Sequence, residues 1–114
     1  MEAKAIPDAL RASWSVETGR HWLPESPARG QCNVTALVVH DLLGGEILKT
    51  NTPGGWHFYN RIGGVRRDFT SSQFADPPAY DDVPSDRGEA MSGTTPERHR
   101  LLAARVASCL ARGG

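Results

Sequence analysis

Apolar residues in the first half of the chain recur at the spacing of a helix. One set predicts a short helix within residues 1–14 and consists of Ile6, Leu10 and Trp14. A second set predicts a helix over residues 32–43, with one buried face made of Val34, Leu37, Val38 and Leu42. Gly44 and Gly45 follow that helix directly and favour its end, because glycine tolerates the backbone conformation of a helix C-terminus.

The pattern changes to short strand-like runs after residue 45. Three strands are predicted, over residues 46–50, 56–62 and 65–70. Between the last two runs stands the pair Gly63-Gly64, which predicts a two-residue hairpin turn because both positions can take positive φ. The middle of the chain is therefore expected to form a small antiparallel sheet.

Residues 75–95 show no periodicity and are rich in Pro, Asp, Ser and Gly, so they predict a long loop. Within it, segment 76–93 offers few apolar anchors. We expect this segment to be mobile or to contribute to a dimer contact, outside the core. Residues 95–112 predict a final helix whose apolar face includes Cys109. The whole chain, 1–114, is expected to be a single α+β domain.

The composition disfavours several classes of partner. The chain has 114 residues, with 13 Lys and Arg against 13 Asp and Glu, and no formal net charge. Nucleic-acid binding and attachment to an anionic membrane both call for a basic surface, so neither is expected. The sequence lacks an apolar run of membrane-spanning length and an apolar secretory signal at its start, which favours the cytoplasm. It also lacks CxxC and HExxH patterns, so neither a metal nor another cofactor is expected.

Cys32 stands at the predicted start of the second helix, within Gly30-Gln31-Cys32-Asn33. A thiol at a helix N-terminus faces unpaired backbone N–H groups and the positive end of the helix dipole, and both stabilise a thiolate. The same N–H groups could receive an oxyanion that forms on an attacked carbonyl, with the Gln31 side-chain amide as a further donor. The alternative is a buried cysteine that acts only as a small apolar residue.

His57 and Asp68 fall on the same face of the predicted hairpin. The two-residue turn sets a register that places Tyr59 opposite Asp68. His57 precedes Tyr59 by two positions and shares its face, so it is a diagonal neighbour of Asp68. A carboxylate held there would fix the histidine tautomer and stabilise an imidazolium, as a catalytic triad requires. The alternative is a half-exposed strand histidine beside an ordinary surface charge.

Five segments of the chain carry a resemblance to known families. They cover about residues 10–75 and are 13–18, 27–39, 44–48, 57–60 and 68–74, with Gly-Gln-Cys and Asp-Phe-Thr-x-x-Gln-Phe as the most distinctive motifs. In these segments the chain resembles the small bacterial YunG-like family. The order of Cys32, His57 and Asp68 is similar to that in the papain-like cysteine peptidase superfamily, including its transglutaminase-like and NlpC/P60-like members.

The resemblance implies a minimal papain-like core, in which a cysteine-bearing helix packs on a small antiparallel sheet between flanking N- and C-terminal helices. It also implies a catalytic triad of Cys32, His57 and Asp68, with His57 pointing at Cys32. Further candidates for contact with the oxyanion or the substrate are Gln31, Asn33, Trp14, Glu17, Trp56 and Gln73. For the tryptophans, a place in the core is the simpler alternative.

Three functions from different classes stay open. The first is a cysteine-dependent hydrolase or acyltransferase, which acts through a covalent thioester on a small or acyl-carrier-type amide, ester or thioester. The second is a catalytically silent papain-like binding module, and the third is a partner or inhibitor protein that binds through the acidic residues 76–89. An intact Cys-His-Asp set favours the enzyme. The short chain favours the other two, unless a homodimer supplies the missing wall of a cleft.

Overall fold

The chain forms helices and one antiparallel sheet within residues 5–113, the part that this computed structural model describes. In chain order the elements are α1 (Ile6–Ser13), α2 (Cys32–Leu43), β1 (Glu46–Thr52), β2 (Gly55–Ile62), β3 (Val65–Arg67), β4 (Val83–Pro84), α3 (Arg87–Met91) and α4 (Pro96–Gly113). A 3₁₀ turn at Ser71–Gln73 follows β3. The strand order in the sheet is β3-β2-β1-β4. The architecture is therefore α+β, as the sequence predicts.

Helix α2 lies between the other long helices and the sheet. The residues that pack with α1 and α4 are Val34, Val38 and Val39. On the sheet side, Ala36 and Leu37 pack with Ile47 of β1 and Phe58 of β2. Six consecutive residues of α2 are therefore buried, whereas the sequence predicts a single buried face. That prediction is wrong because the helix has a packing layer on each side.

Two predicted glycine turns are confirmed. Gly63 and Gly64 adopt positive φ, 58° and 81°, and join β2 to β3 with Ile62 opposite Val65. Gly44, with a φ of 69°, directly follows the last residue of α2. Both turns thus have the left-handed backbone that glycine adopts without steric cost.

Strand β3 is shorter than predicted, because the chain turns after Arg67. Its pairing with β2 ends where Asn60 lies opposite Arg67, whereas the sequence predicts a strand up to Thr70. Asp68 accepts hydrogen bonds from the N–H and the hydroxyl of Thr70, at 3.1 and 3.2 Å. Such local side-chain bonds compete with the sheet ladder, so the strand gives way to a turn.

Segment 76–93 contributes to the core, so the prediction that it lies outside is wrong. It contains β4, which pairs with β1, and α3, whose Ala90 is fully buried against α2 and the sheet. Asp82 and Glu89, two acidic residues that suggested a contact surface, form ion pairs with basic residues of the sheet. A dimer contact through this segment stays a prediction.

The terminal helices pack against each other and against α2. Helix α1 lies within the predicted range, and residues 1–4 of that range are outside the described part of the chain. Helix α4 has the predicted apolar face, with Leu102 and Val106 buried and Cys109 partly buried. Between residues 5 and 113, no helix is long and apolar enough to cross a membrane.

We expect Val38→Ala in α2 to lower the free energy of unfolding by about 2 kcal/mol, because it removes two buried methyl groups and leaves a cavity. Val38 is 1% exposed. The matched control is Val65→Ala, since Val65 is 59% exposed in β3 and its loss should cost less than about 1 kcal/mol. Urea unfolding followed by circular dichroism measures both variants. An equal decrease in the free energy of unfolding in both variants would contradict the placement of α2 in the core.

Candidate active site

Helix α2 presents Cys32 at its N-terminal end. Cys32 is the first residue of the helix, and its free thiol group is only partly buried. Gln31, at the N-cap position, makes no side-chain hydrogen bond to the helix end. The first-turn N–H groups are therefore left to stabilise negative charge on the sulfur or on an oxygen atom bound there.

The Gln31 side chain does not take the predicted role of a donor to an oxyanion. Its side chain is fully buried, and its amide nitrogen donates to the carbonyls of Ser15 and Gly19, both at 3.3 Å. Its amide oxygen accepts a hydrogen bond from the Thr18 hydroxyl at 2.7 Å. A Cβ atom at Gly19 would lie 2.6 Å from the Gln31 nitrogen, so a glycine is needed there. Gln31 anchors the loop before α2 and is not available as a donor to an oxyanion.

Strand β2 and the turn after β3 bring His57 and Asp68 together. The side chains are 3% and 5% exposed, and His57 Nε2 donates to Asp68 Oδ2 at 2.7 Å. The sequence predicts this contact from the hairpin register, although Asp68 lies just past the end of β3. On the same face of β2, the Tyr59 ring stacks on the His57 ring with centroids 5.9 Å apart.

The pair of His57 and Asp68 is charged at neutral pH. Burial alone lowers the pKa of His57, but the hydrogen bond and charge of Asp68, with a smaller contribution from Cys32, outweigh it and raise that pKa to about 9. For Asp68, burial raises the pKa, while the hydrogen bond and charge of His57 and further donors hold it below its usual value. The result is an imidazolium beside a carboxylate.

Cys32 lies next to the imidazole. Cys32 contributes to the raised pKa of the histidine, and both residues line one cleft. Because Asp68 occupies Nε2, the other ring nitrogen, Nδ1, is the one available to the sulfur. The three side chains form a series of thiol, imidazole and carboxylate, which is an arrangement that activates a cysteine as a nucleophile.

A cleft of about 430 Å³ opens beside Cys32 and His57. Its other lining residues come from the turn end of the β1–β2 hairpin and from the chain after β3, and they are Thr52, Pro53, Gly54, Trp56, Gln73, Phe74, Asp76 and Pro78. Trp56 and Gln73, two of the predicted candidates for contact with the substrate, therefore line the same cleft as Cys32. Within residues 5–113, no three His, Cys, Asp or Glu side chains are grouped so as to hold a metal ion.

Trp14 and Glu17 do not line the cleft, contrary to the prediction. Trp14 is 5% exposed in the core, and its indole N–H donates to the Thr35 hydroxyl of α2 at 2.9 Å. Glu17 is exposed and forms an ion pair with Arg105 of α4 at 2.5 Å. Both residues fasten the chain after α1 to the longer helices. A domain this small needs its large apolar side chains for the core.

Asn33 is a neighbour of the thiol but does not line the cleft. Its side-chain amide donates to the Ala90 carbonyl at 2.9 Å, and its Oδ1 accepts from Cys32 Sγ at 3.4 Å. A Cβ atom at Gly93 would lie 2.3 Å from the Asn33 nitrogen, so only glycine lets the chain after α3 approach this closely. Asn33 therefore joins the start of α2 to the end of α3.

Tyr80 is a residue of the site that sequence reasoning missed. Its hydroxyl donates to Asp68 Oδ2 at 2.8 Å, and its ring meets the Tyr59 ring edge-on, with centroids 4.9 Å apart. From the same segment, Phe74 contacts the His57 ring edge-on at 4.7 Å. The one available signal was the presence of aromatic side chains in a segment otherwise rich in turn-forming and polar residues.

Comparison with known proteins assigns the chain to a family. The family model described as YunG protein matches residues 2–111. The uncharacterized protein YunG of Bacillus subtilis (strain 168) is 48% identical over 93 residues, which are 82% of this chain and 81% of that relative. No solved structure matches the chain. Since the family model spans nearly all of the sequence, the chain belongs to the YunG family.

Proposed function

We propose that this protein is a cysteine-dependent hydrolase or acyltransferase of the papain-like type. The proposal rests above all on the series Cys32, His57 and Asp68, in which Cys32 and His57 line one cleft and the buried Asp68 carboxylate pairs with the His57 imidazole. A cysteine-bearing helix packed on an antiparallel sheet is also similar to the papain-like core. The Bacillus relative is itself uncharacterized, so the support comes from the geometry of this chain.

The first half-reaction forms a thioester. Cys32, paired as a thiolate with the His57 imidazolium, attacks the carbonyl carbon of the substrate, so that a C–S bond forms and the π electrons move to oxygen. The tetrahedral intermediate then collapses, and the bond to the leaving group breaks. His57 gives its Nδ1 proton to the departing nitrogen, oxygen or sulfur, and Asp68 stabilises the imidazolium until that transfer.

The second half-reaction frees the enzyme. Water or an amine gives a proton to His57 and attacks the thioester carbon, and the sulfur leaves as a thiolate, which restores its pair with the imidazolium. Attack by water yields a carboxylic acid, and attack by an amine yields an amide. The backbone N–H of Cys32 and the following first-turn N–H groups of α2 are the donors that we assign to the oxyanion.

The cleft favours a small substrate without negative charge. About 430 Å³ accommodates a compact molecule and not a long peptide. Apart from Cys32 and His57, the ionisable lining residue is Asp76, and neither Lys nor Arg is among the described lining residues. We therefore propose a neutral or cationic amide, ester or thioester, free or presented by an acyl carrier. Two free cysteines suit a reducing cytoplasm as the compartment.

We expect iodoacetamide to label Cys32 at least about tenfold faster than Cys109 near neutral pH, because Cys32 has a helix N-terminus and an imidazolium beside it. Peptide mass spectrometry measures both rates. Incubation with a small activated ester should add one acyl group to the wild type, as seen by intact mass. Cys32→Ser should lose this adduct, whereas the matched variant Cys109→Ser should keep it.

Equal labelling of the two cysteines, or an acyl adduct that persists in Cys32→Ser, would contradict the proposed nucleophile. A wild-type protein that gains no adduct from any ester or thioester would favour the binding-module alternative instead.

We expect His57 to titrate near pH 9 in the folded protein, against 6.5 in the unfolded chain. Because the folded-state pKa is the higher one, protonated His57 stabilises the fold fully below pH 6.5, and this contribution is lost as pH rises toward 9. Asp68→Asn removes the carboxylate, so the midpoint should fall toward 6.5. NMR titration of the imidazole resonances measures this, with His57→Gln to assign the signal.

The control for this titration is Asp8→Asn, an exposed carboxylate on α1, which should leave the His57 midpoint unchanged. A wild-type midpoint below about pH 7, close to the ordinary histidine value, would rule out the charged pair.

We expect Cys32 to react faster with a cationic methanethiosulfonate than with an anionic one. The ratio of these two rates should exceed the ratio measured for free cysteine. Asp76→Asn should reduce this excess about threefold to tenfold, the size expected for one solvent-screened charge, and should leave the rate with a neutral reagent unchanged. Glu97→Gln, at an exposed position of α4, is the control. If the wild-type ratio equals that of free cysteine, the cleft does not select by charge.

A further inference from the structure

We propose that Tyr80 is a positioning residue of the site, which acts on His57 through Asp68. Its hydroxyl donates at 2.8 Å to Oδ2 of Asp68, the same oxygen that receives the His57 N–H at 2.7 Å. The inference rests on the proposed function, and it gives a role in the site to a segment that the sequence predicts to be a loop outside the core.

Both carboxylate oxygens of Asp68 are occupied. Oδ1 accepts from the N–H and the hydroxyl of Thr70, and Oδ2 accepts from His57 and Tyr80. The Thr70 bonds hold one oxygen near the backbone, and the Tyr80 bond holds the other oxygen in line with the imidazole. Because the Asp68 side chain is only 5% exposed, water has little access to replace a missing donor.

Tyr80 is itself held in place by its neighbours. The Arg66 guanidinium lies 4.7 Å from the centre of the Tyr80 ring and forms an ion pair with Asp82 at 2.6 Å. The N–H of Asp82 donates to the Tyr59 hydroxyl at 2.8 Å, and that hydroxyl donates to the Asp82 carboxylate. Asp82 has a φ of 53°, a left-handed conformation that costs energy in a residue other than glycine, and these bonds offset the cost.

The hydrogen bond from Tyr80 also weakens the effect of the Asp68 charge on His57. Burial and the bond to Asp68 raise the pKa of Tyr80, so its hydroxyl stays protonated and remains a donor. A donor on Oδ2 draws charge away from the bond to His57, so the carboxylate stabilises the imidazolium less strongly. In the proposed reaction the imidazolium gives the proton on Nδ1, the nitrogen that faces Cys32, to the leaving group. Tyr80 therefore orients the carboxylate and limits how strongly it stabilises the protonated ring.

The test removes the Tyr80 hydroxyl while its ring stays. In Tyr80→Phe, the NMR titration midpoint of His57 should move up by about 0.5 to 1 pH unit, because Asp68 loses a competing donor. The alkaline limb of the pH profile for acyl-adduct formation should move by the same amount, since it reports the protonated imidazole. Circular dichroism establishes that the variant is folded.

The matched variant is Ser85→Ala, which removes a hydroxyl of the same segment that donates to Glu89 and not to Asp68. It should reduce stability against urea and leave the His57 midpoint unchanged. A midpoint in Tyr80→Phe that stays in place or falls would overturn the inference. Equal shifts of the His57 midpoint in both variants would overturn it too, because a general loosening of the segment would then explain them.

The proposed function can fail separately. If Cys32→Ser still forms the acyl adduct, the assignment of the nucleophile is wrong, yet an upward shift of His57 in Tyr80→Phe would still establish the action of Tyr80 on Asp68. If the adduct forms on Cys32 and the midpoint does not move in Tyr80→Phe, the enzyme proposal stands and the role of Tyr80 is refuted.

Discussion

The buried ion pair of His57 and Asp68 is the interaction on which the site depends. Its two side chains are 3% and 5% exposed, and removal of one partner from a buried pair typically costs about 3–5 kcal/mol. The remaining lone pairs of the carboxylate are satisfied by Thr70 and Tyr80. The turn after β3 and the segment that carries Tyr80 are therefore required, because they supply the hydrogen bonds without which the buried Asp68 carboxylate would not stay charged.

Helix α2 serves the core and the site at the same time. Its middle is enclosed by helices on one side and by the sheet on the other, and only its ends can reach a cleft. Asn60 of β2 donates to the Ala36 carbonyl of α2 at 3.1 Å, which adds a directional bond to the apolar packing. Because the same core holds α2 and β2, Cys32 and His57 keep a fixed relation to each other, and both stand on rigid elements.

The chain from Phe74 to Asp82 contributes to the site in several ways. Phe74 covers an edge of the His57 ring, Asp76 and Pro78 form part of the cleft wall, and Tyr80 bonds the buried carboxylate. A domain of this size buries a smaller share of its surface than a large one, so a single irregular segment has to close the second face of the sheet and complete the site.

Local patterns in the sequence determined the elements that carry the site. Helical spacing located α2 with Cys32 at its start, and the glycine turn set the register that brings His57 to Asp68. The roles of two residues were decided by the tertiary structure alone. Gln31 accepts a hydrogen bond from Thr18, and Tyr80 donates one to Asp68. A period of 2 or 3.6 residues encodes which side chains share a face of one element. This periodicity carries no information on where an irregular segment crosses another element. The path of such a segment depends on which buried polar groups still need a hydrogen-bond partner once the core has packed.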